Sequence, residues 1–146
     1  MRADITLDSL NARGAGRLPG LVGFTVTAVE DGRLAAEIAI RSDLLAPNGY
    51  LHAATIIALA DTACGYGCIA HLPEGAVNFT TVELKSNFFA TALNGTIACV
   101  ATPVHRGRTT QVWDVKIYDE RDKLVCVSRC TIAVVAERRP AGEQPA

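Results

Sequence analysis

The stretch Ala53-Ala-Thr-Ile-Ile-Ala-Leu-Ala-Asp61-Thr-Ala-Cys-Gly-Tyr-Gly-Cys-Ile-Ala70 decides the fold. It is apolar around its whole circumference, so it is a buried helix or a membrane span; an amphipathic surface helix would show a polar face. Its one charge is Asp61, at the centre. A carboxylate among apolar neighbours without a partner costs several kcal/mol, roughly, or takes up a proton. Asp61 is therefore expected to have a partner or a use. The length is close to the roughly 18-residue spanning threshold. Against a span stand the central charge, which costs about 3 kcal/mol on insertion, the absence of flanking Lys or Arg clusters, and dilution by Ala, Gly and Thr. A core helix covered by a sheet is expected, with no membrane partner.

Strand signals surround the helix. Residues 4–12 read as a short helix, broken by Gly14, Gly16, Pro19 and Gly20. Leu21–Glu30 and Arg33–Ile40 read as strands joined at Asp31-Gly32, the signature of a type I′ hairpin. A loop from Ser42 to Tyr50 and His52 lead into the helix, which His71, Pro73 and Gly75 end. Four strands follow: Val77–Phe89, Thr96–His105, Thr109–Asp119 and Leu124–Ala136. Trp113, Val115 and Ile117 share one face of the third of these. The order β-β-α-β-β-β-β predicts an α+β fold, an antiparallel sheet of five to six strands around one long helix. Residues 1–20 form an N-terminal segment, 21–136 the domain and 137–146 a charged, Pro-rich flexible tail. A single sheet covers the helix on one side only, and a second copy of the chain is the simplest cover for the other flank.

The chain has 146 residues, nearly half of them apolar and few aromatic, enough for one domain with a real core. A net charge of −1 leaves no electrostatic footprint for nucleic acid. The N-terminus lacks the apolar run of a secretory signal, and Cys64, Cys68, Cys99, Cys126 and Cys130 are odd in number. Reduced, core-filling thiols in a cytoplasmic protein are expected. Neither close cysteine pair has zinc or redox spacing, and His52, His71 and His105 are scattered, so no metal and no cofactor is expected.

The segment Asn48-Gly-Tyr-Leu-His52-Ala-Ala-Thr-Ile-Ile-Ala-Leu-Ala-Asp61-Thr-Ala resembles the hotdog-fold acyl-CoA thioesterases. The likeness is to the phenylacetic-acid-degradation type within the 4-hydroxybenzoyl-CoA thioesterase superfamily, whose pattern is roughly H-G-G-x-x-x-x-L-x-D/E. Val82-Glu-Leu-Lys-Ser-Asn-Phe88, Gly107-Arg108 and Val112-Trp-Asp-Val-Lys-Ile-Tyr-Asp119 extend it over about residues 20–136. Two positions depart from the pattern. The glycine pair after the histidine is Ala53-Ala54. The residue six before the histidine, often Gln or Asn and used to orient the substrate, is Ala46, with Asn48 close by but out of register.

The resemblance implies hydrolysis of an acyl-CoA by a homodimer or homotetramer. Thioester hydrolysis needs a group that stabilises the developing oxyanion and a group that attacks. Free backbone N–H groups near Ala53 and Ala54, at the positive end of the helix dipole, suit the first. Asp61 suits the second, as nucleophile or as general base on water. Asp61 lies about 12 Å along the helix from Ala53, whereas the reacting atoms must meet within ~3–3.5 Å. One chain therefore cannot bring both groups to one thioester, but two antiparallel helices across a two-fold axis can.

Other readings stand beside these. Asp61 is alternatively a structural carboxylate bonded to Thr62, Thr55 or a neighbouring strand, and His52 either contacts substrate or caps the helix. Thr62 holds the carboxylate or bonds back to the Ala58 carbonyl. His105, Arg106 and Arg108 cluster at one turn and suit the phosphates of coenzyme A, or are solvated turn charges. Asn87 and Phe88 suit the wall of a substrate channel. At the level of function, the alternatives are a hotdog hydratase or dehydratase acting on acyl thioesters and a non-catalytic acyl-CoA-binding module.

Overall fold

In the computed structural model, which describes residues 1–137, the chain runs α1 (Leu7–Arg13), α2 (Leu18–Val22), β1 (Thr25–Glu30), β2 (Arg33–Ala39), a 3-10 turn (Ser42–Leu44), α3 (Ala53–Ala70), β3 (Ala76–Phe88), β4 (Thr96–Arg106), β5 (Thr110–Asp119) and β6 (Leu124–Ala136). The strands form one antiparallel sheet in the order β1-β2-β4-β5-β6-β3. The apolar run is α3, and 67% of it is buried. It carries the chain from β2 across the sheet to β3 at the far edge. This is the expected hotdog arrangement, an antiparallel sheet wrapped round one long helix.

Close packing explains the two glycines in the helix. A Cβ on Gly67 would lie 2.8 Å from the Trp113 ring, and one on Gly65 would lie 2.5 Å from Phe79. Trp113, Val115 and Ile117 are fully buried beneath α3, as their alternation predicts. The buried polar groups at the end of the helix form a chain. Trp113 Nε1–H donates to Gln111 Oε1 at 2.9 Å, and Gln111 Nε2 donates to the His71 carbonyl at 3.0 Å. At the other edge of the sheet, Asn11 satisfies both backbone groups of Val26, with bonds of 3.1 and 2.7 Å, so α1 closes the margin of β1.

Several local expectations are corrected. The first helix spans Leu7–Arg13 rather than residues 4–12, because Thr6 and Ser9 form a reciprocal capping box that sets its start. Leu21 and Val22 are helical, not the start of a strand: Pro19 sits in the first turn of α2, where it is tolerated, and Gly23 ends it at φ +76°. The β1–β2 hairpin does turn on Asp31-Gly32, with Glu30 opposite Arg33. It is not type I′, since that turn needs positive φ at both central residues and only Gly32 has it. All five cysteines are buried and free, and burial pushes the Cys68 and Cys99 thiols up to about 12. Of the tail expected at 137–146, residues 138–146 lie outside the described residues.

One flank of α3 is left open. Ala54 and Ile57 are exposed, and Ala58, Asp61 and Thr62 half-buried, at helical spacing along it. Beside this flank runs β3, an edge strand with Val77, Val82 and Phe88 exposed.

Candidate active site

His52 is the N-cap of α3, in extended conformation, and its Nδ1 accepts the Ala54 N–H at 2.9 Å. That bond fixes the neutral ring with its proton on Nε2. It also removes Ala54 from the donors expected at the helix entrance. The N–H groups of Thr55 and Ile56 turn back to the His52 carbonyl. Ala53 N–H, in the first helical position, has no acceptor among the described residues, as helix geometry dictates.

A cavity of about 400 Å³ opens at this entrance, bordered by Ala46, Asn48, His52, Ala53, Ile56 and Phe88. Four candidates thus meet in one place: Asn48, His52, Ala53 and Phe88. Asn87 does not join them, because strand neighbours alternate and the face of β3 that carries Phe88 turns Asn87 away.

Asp61 stands two turns further along the open flank, half-buried rather than sunk in the core. Its Oδ1 accepts from Thr81 Oγ1 at 2.9 Å and faces the Cys130 thiol at 4.0 Å. Of the three partners expected for the carboxylate, the neighbouring strand supplies the bond, and neither Thr62 nor Thr55 does. Thr55 instead donates to the Leu44 carbonyl at 3.0 Å. Thr81 was not legible beforehand, since only the position of β3 against α3 brings it within reach. The one sequence signal was its place in a β-branched strand.

His105, Arg106 and Arg108 lie at the opposite end of α3. Arg106 donates to Asp31 Oδ1 at 2.9 Å, and Asp31 is 3.3 Å from Nε2 of His71, the C-cap of the helix. The Arg106 guanidinium and the terminal amine of Met1 hold the Asp31 carboxyl down at about 2. His71 is buried, with Nδ1–H on the Gly67 carbonyl at 2.7 Å and Nε2 accepting Gly32 N–H at 3.0 Å. Burial pulls its pKa down and favours the neutral ring. Within one chain, then, this basic turn is a length of α3, about 27 Å, from the open N–H.

The arrangement offers one backbone donor at a helix N-terminus, an apolar cavity beside it and a hydrogen-bonded carboxylate along the same open flank. Residues 48–126 match the family described as the thioesterase superfamily. The chain is 34% identical over 118 residues to the 1,4-dihydroxy-2-naphthoyl-CoA hydrolase of Listeria monocytogenes, covering 81% of this chain and 95% of that one. It is 33% identical over 134 residues to the enzyme of the same name from Escherichia coli, covering 90% and 96%. Among solved structures, a mutant of thioesterase PA1618 from Pseudomonas aeruginosa superimposes with a TM-score of 0.88 at 29% identity, covering 93% of this chain and 98% of that one.

Proposed function

The chain belongs to the thioesterase superfamily and is a thioester hydrolase; from that premise we propose that it cleaves an acyl-CoA to a free acid and coenzyme A in a site shared between two subunits. Ala53 N–H of one subunit polarises the thioester carbonyl, and Asp61 of the other attacks it or activates water. The observation that carries this reading is the open donor at Ala53 and the held carboxylate of Asp61 on one exposed helix flank, about 12 Å apart. That span is too long for one thioester and suits two antiparallel copies of the helix.

The energetics favour the dimer. Ile57 and the exposed Val77, Val82 and Phe88 on edge strand β3 form an apolar margin, and an edge strand presents unpaired backbone groups to a partner. A two-fold axis along this margin covers the open flank of α3 and faces each Asp61 with a partner's helix entrance. A homodimer, or a homotetramer built from two of them, follows. The five buried free thiols suit a reducing cytoplasm.

In the general-base route, Asp61 takes a proton from water as the hydroxide oxygen bonds the carbonyl carbon. The negative oxygen forms on Ala53 N–H, and collapse expels the thiolate, which receives a proton. In the nucleophilic route, an Asp61 oxygen bonds the carbon first and the C–S bond breaks, expelling the thiolate. Water then opens the mixed anhydride, releasing the free acid, restoring the Asp61 carboxylate and supplying the proton the thiolate takes up. The acyl-CoA substrate is supported by the two relatives named as acyl-CoA hydrolases.

The test is thiol release from acetyl-, hexanoyl-, benzoyl- and 1,4-dihydroxy-2-naphthoyl-CoA, with Asp61→Asn as control. Turnover of at least one thioester is expected, with a loss of about 10²-fold or more in the variant. Full activity in Asp61→Asn would sink the reading. Single turnover in ¹⁸O-water tests the nucleophilic route: label in Asp61 requires an anhydride opened by water at the aspartyl carbonyl.

A further inference from the structure

Between the helix entrance and Asp61, the cleft that separates the open flank of α3 from edge strand β3 has an apolar floor with a pair of hydroxyls in it. We propose that this pair, Ser86 and Ser128, selects acyl groups that carry a hydroxyl of their own. Ser86 is then the specificity-determining residue. The inference rests on the thioesterase reading above and names the acyl chemistry that its site prefers.

The first support is position. Phe88 borders the cavity at the Ala53 entrance, and Thr81 bonds Asp61. Between these two, on the same face of β3, lie Leu84 and Ser86, opposite Cys130 and Ser128 of β6. Ser86 is two residues from Phe88, about 7 Å along the strand. The entrance cavity is open and takes the bulky coenzyme, so the acyl group runs inward over this floor. Above it stand Ala54, Ile57 and Ala58 of the helix flank, none of which offers a side-chain hydrogen bond.

The second is hydrogen-bond arithmetic. The two hydroxyls lie 2.8 Å apart, and the buried Ser128 is also 3.5 Å from the Cys126 thiol. Each hydroxyl has one proton and two lone pairs. If Ser128 donates to Ser86, the Ser86 proton has no acceptor among the described residues and is offered to the cleft. If Ser86 donates instead, Ser128 turns its proton to Cys126, and Ser86 offers lone pairs. A ligand hydroxyl donates and accepts, so it fits both arrangements. A keto oxygen fits one of them, and a hydrocarbon fits neither.

The third is burial. Ser86 is half-buried in one subunit, and the second subunit of the proposed dimer covers it further. Shut in against a hydrocarbon, its spare hydrogen-bonding capacity loses water without replacement. That penalty falls on the plain acyl group and not on its hydroxylated counterpart, so the site discriminates by rejection.

The test is the ratio of kcat/KM within two matched pairs, 6-hydroxyhexanoyl- against hexanoyl-CoA and 4-hydroxybenzoyl- against benzoyl-CoA. The wild-type protein is expected to favour the hydroxylated member of at least one pair by about tenfold or more. Ser86→Ala should bring that ratio to within about threefold of unity. A ratio is unmoved by loss of folded protein, so misfolding does not imitate the result. No preference in the wild type, or a preference that survives in Ser86→Ala, overturns the proposal. Acyl-CoA hydrolysis that Asp61→Asn abolishes would then leave the thioesterase reading standing. An active Asp61→Asn, by contrast, removes the parent reading itself.

Discussion

The Asp61 carboxylate is held by a residue twenty positions away in sequence. Thr81 Oγ1 donates to Oδ1 at 2.9 Å, and the weaker Cys130 thiol reaches the same oxygen at 4.0 Å. Among the described residues, Oδ2 accepts from no donor, and in the proposed mechanism it is the oxygen that would react. Removing the hydroxyl would let the carboxylate rotate out of line, which under that mechanism makes Thr81 a positioning residue. Thr81→Val is expected to cut kcat about tenfold, equivalent to about 1.4 kcal/mol of barrier, with KM little changed. Thr81→Ser should restore most of the loss. Steady-state kinetics on the three proteins checks this, and equal kcat in the valine and wild-type forms would show that Thr81 is only structural.

At the scale of elements, α3 is specified twice, by its apolar content and by the glycines that let it approach the sheet. Gly67→Ala places a methyl group 2.8 Å from the Trp113 ring, which is fully buried and cannot move aside cheaply. Overpacking of this kind costs about 1–3 kcal/mol, against a gain of about 1 kcal/mol in helix propensity. A net loss of up to about 2 kcal/mol is expected, read as a fall in the thermal midpoint; a more stable variant would mean that the ring has slack. The helix entrance allows a cleaner substitution. Proline is tolerated in the first helical position, and His52 at φ −64°, ψ 134° already has the extended backbone that precedes proline. Ala53→Pro should therefore fold normally, deleting one N–H group and with it about 10²-fold of activity. Circular dichroism beside turnover separates that outcome from misfolding.

For the whole molecule, the decisive question is whether a site draws on two chains. Mixing Asp61→Asn with Ala53→Pro and refolding together gives heterodimers in half of the population, each with one intact site. Activity near a quarter of wild type, about 25%, is expected from two inactive parents. A mixture as inactive as its parents would place both groups in one chain.

The same scale governs pH. Burial lowers the folded pKa of His71, while the unfolded ring titrates near 6.5. Below that pH the unfolded chain binds the extra proton first, so stability falls as pH falls. The groups around the ring are Asp31, Arg106 and the Met1 amine. Asp31 contributes lower down. Its folded pKa of about 2 lies under its ordinary 3.8, so its share is present above about pH 4 and lost as pH drops towards 2. Thermal midpoints from pH 7 to 5 should decline, and His71→Gln, neutral throughout, should flatten that slope. An unchanged slope would clear His71 of the effect.

Sequence by itself determined the long apolar helix, the strands around it, the hairpin at Asp31-Gly32 and the pairing of His52 with Asp61 at family spacing. These are properties of neighbouring residues, and periodicity or turn chemistry within a short window reports them. It misread the ends of α1 and the helical Leu18–Val22, where capping hydrogen bonds set boundaries that composition does not show. Tertiary structure decided the rest. It put Thr81 on Asp61, spent Ala54 N–H on His52, paired Ser86 with Ser128 on the floor of the cleft, and sent Arg106 to Asp31 at the far end of the helix. Each of these depends on which edge of the sheet β3 occupies, on one side-chain rotamer, or on two residues as much as 75 positions apart. Such contacts exist only once the chain has closed on itself.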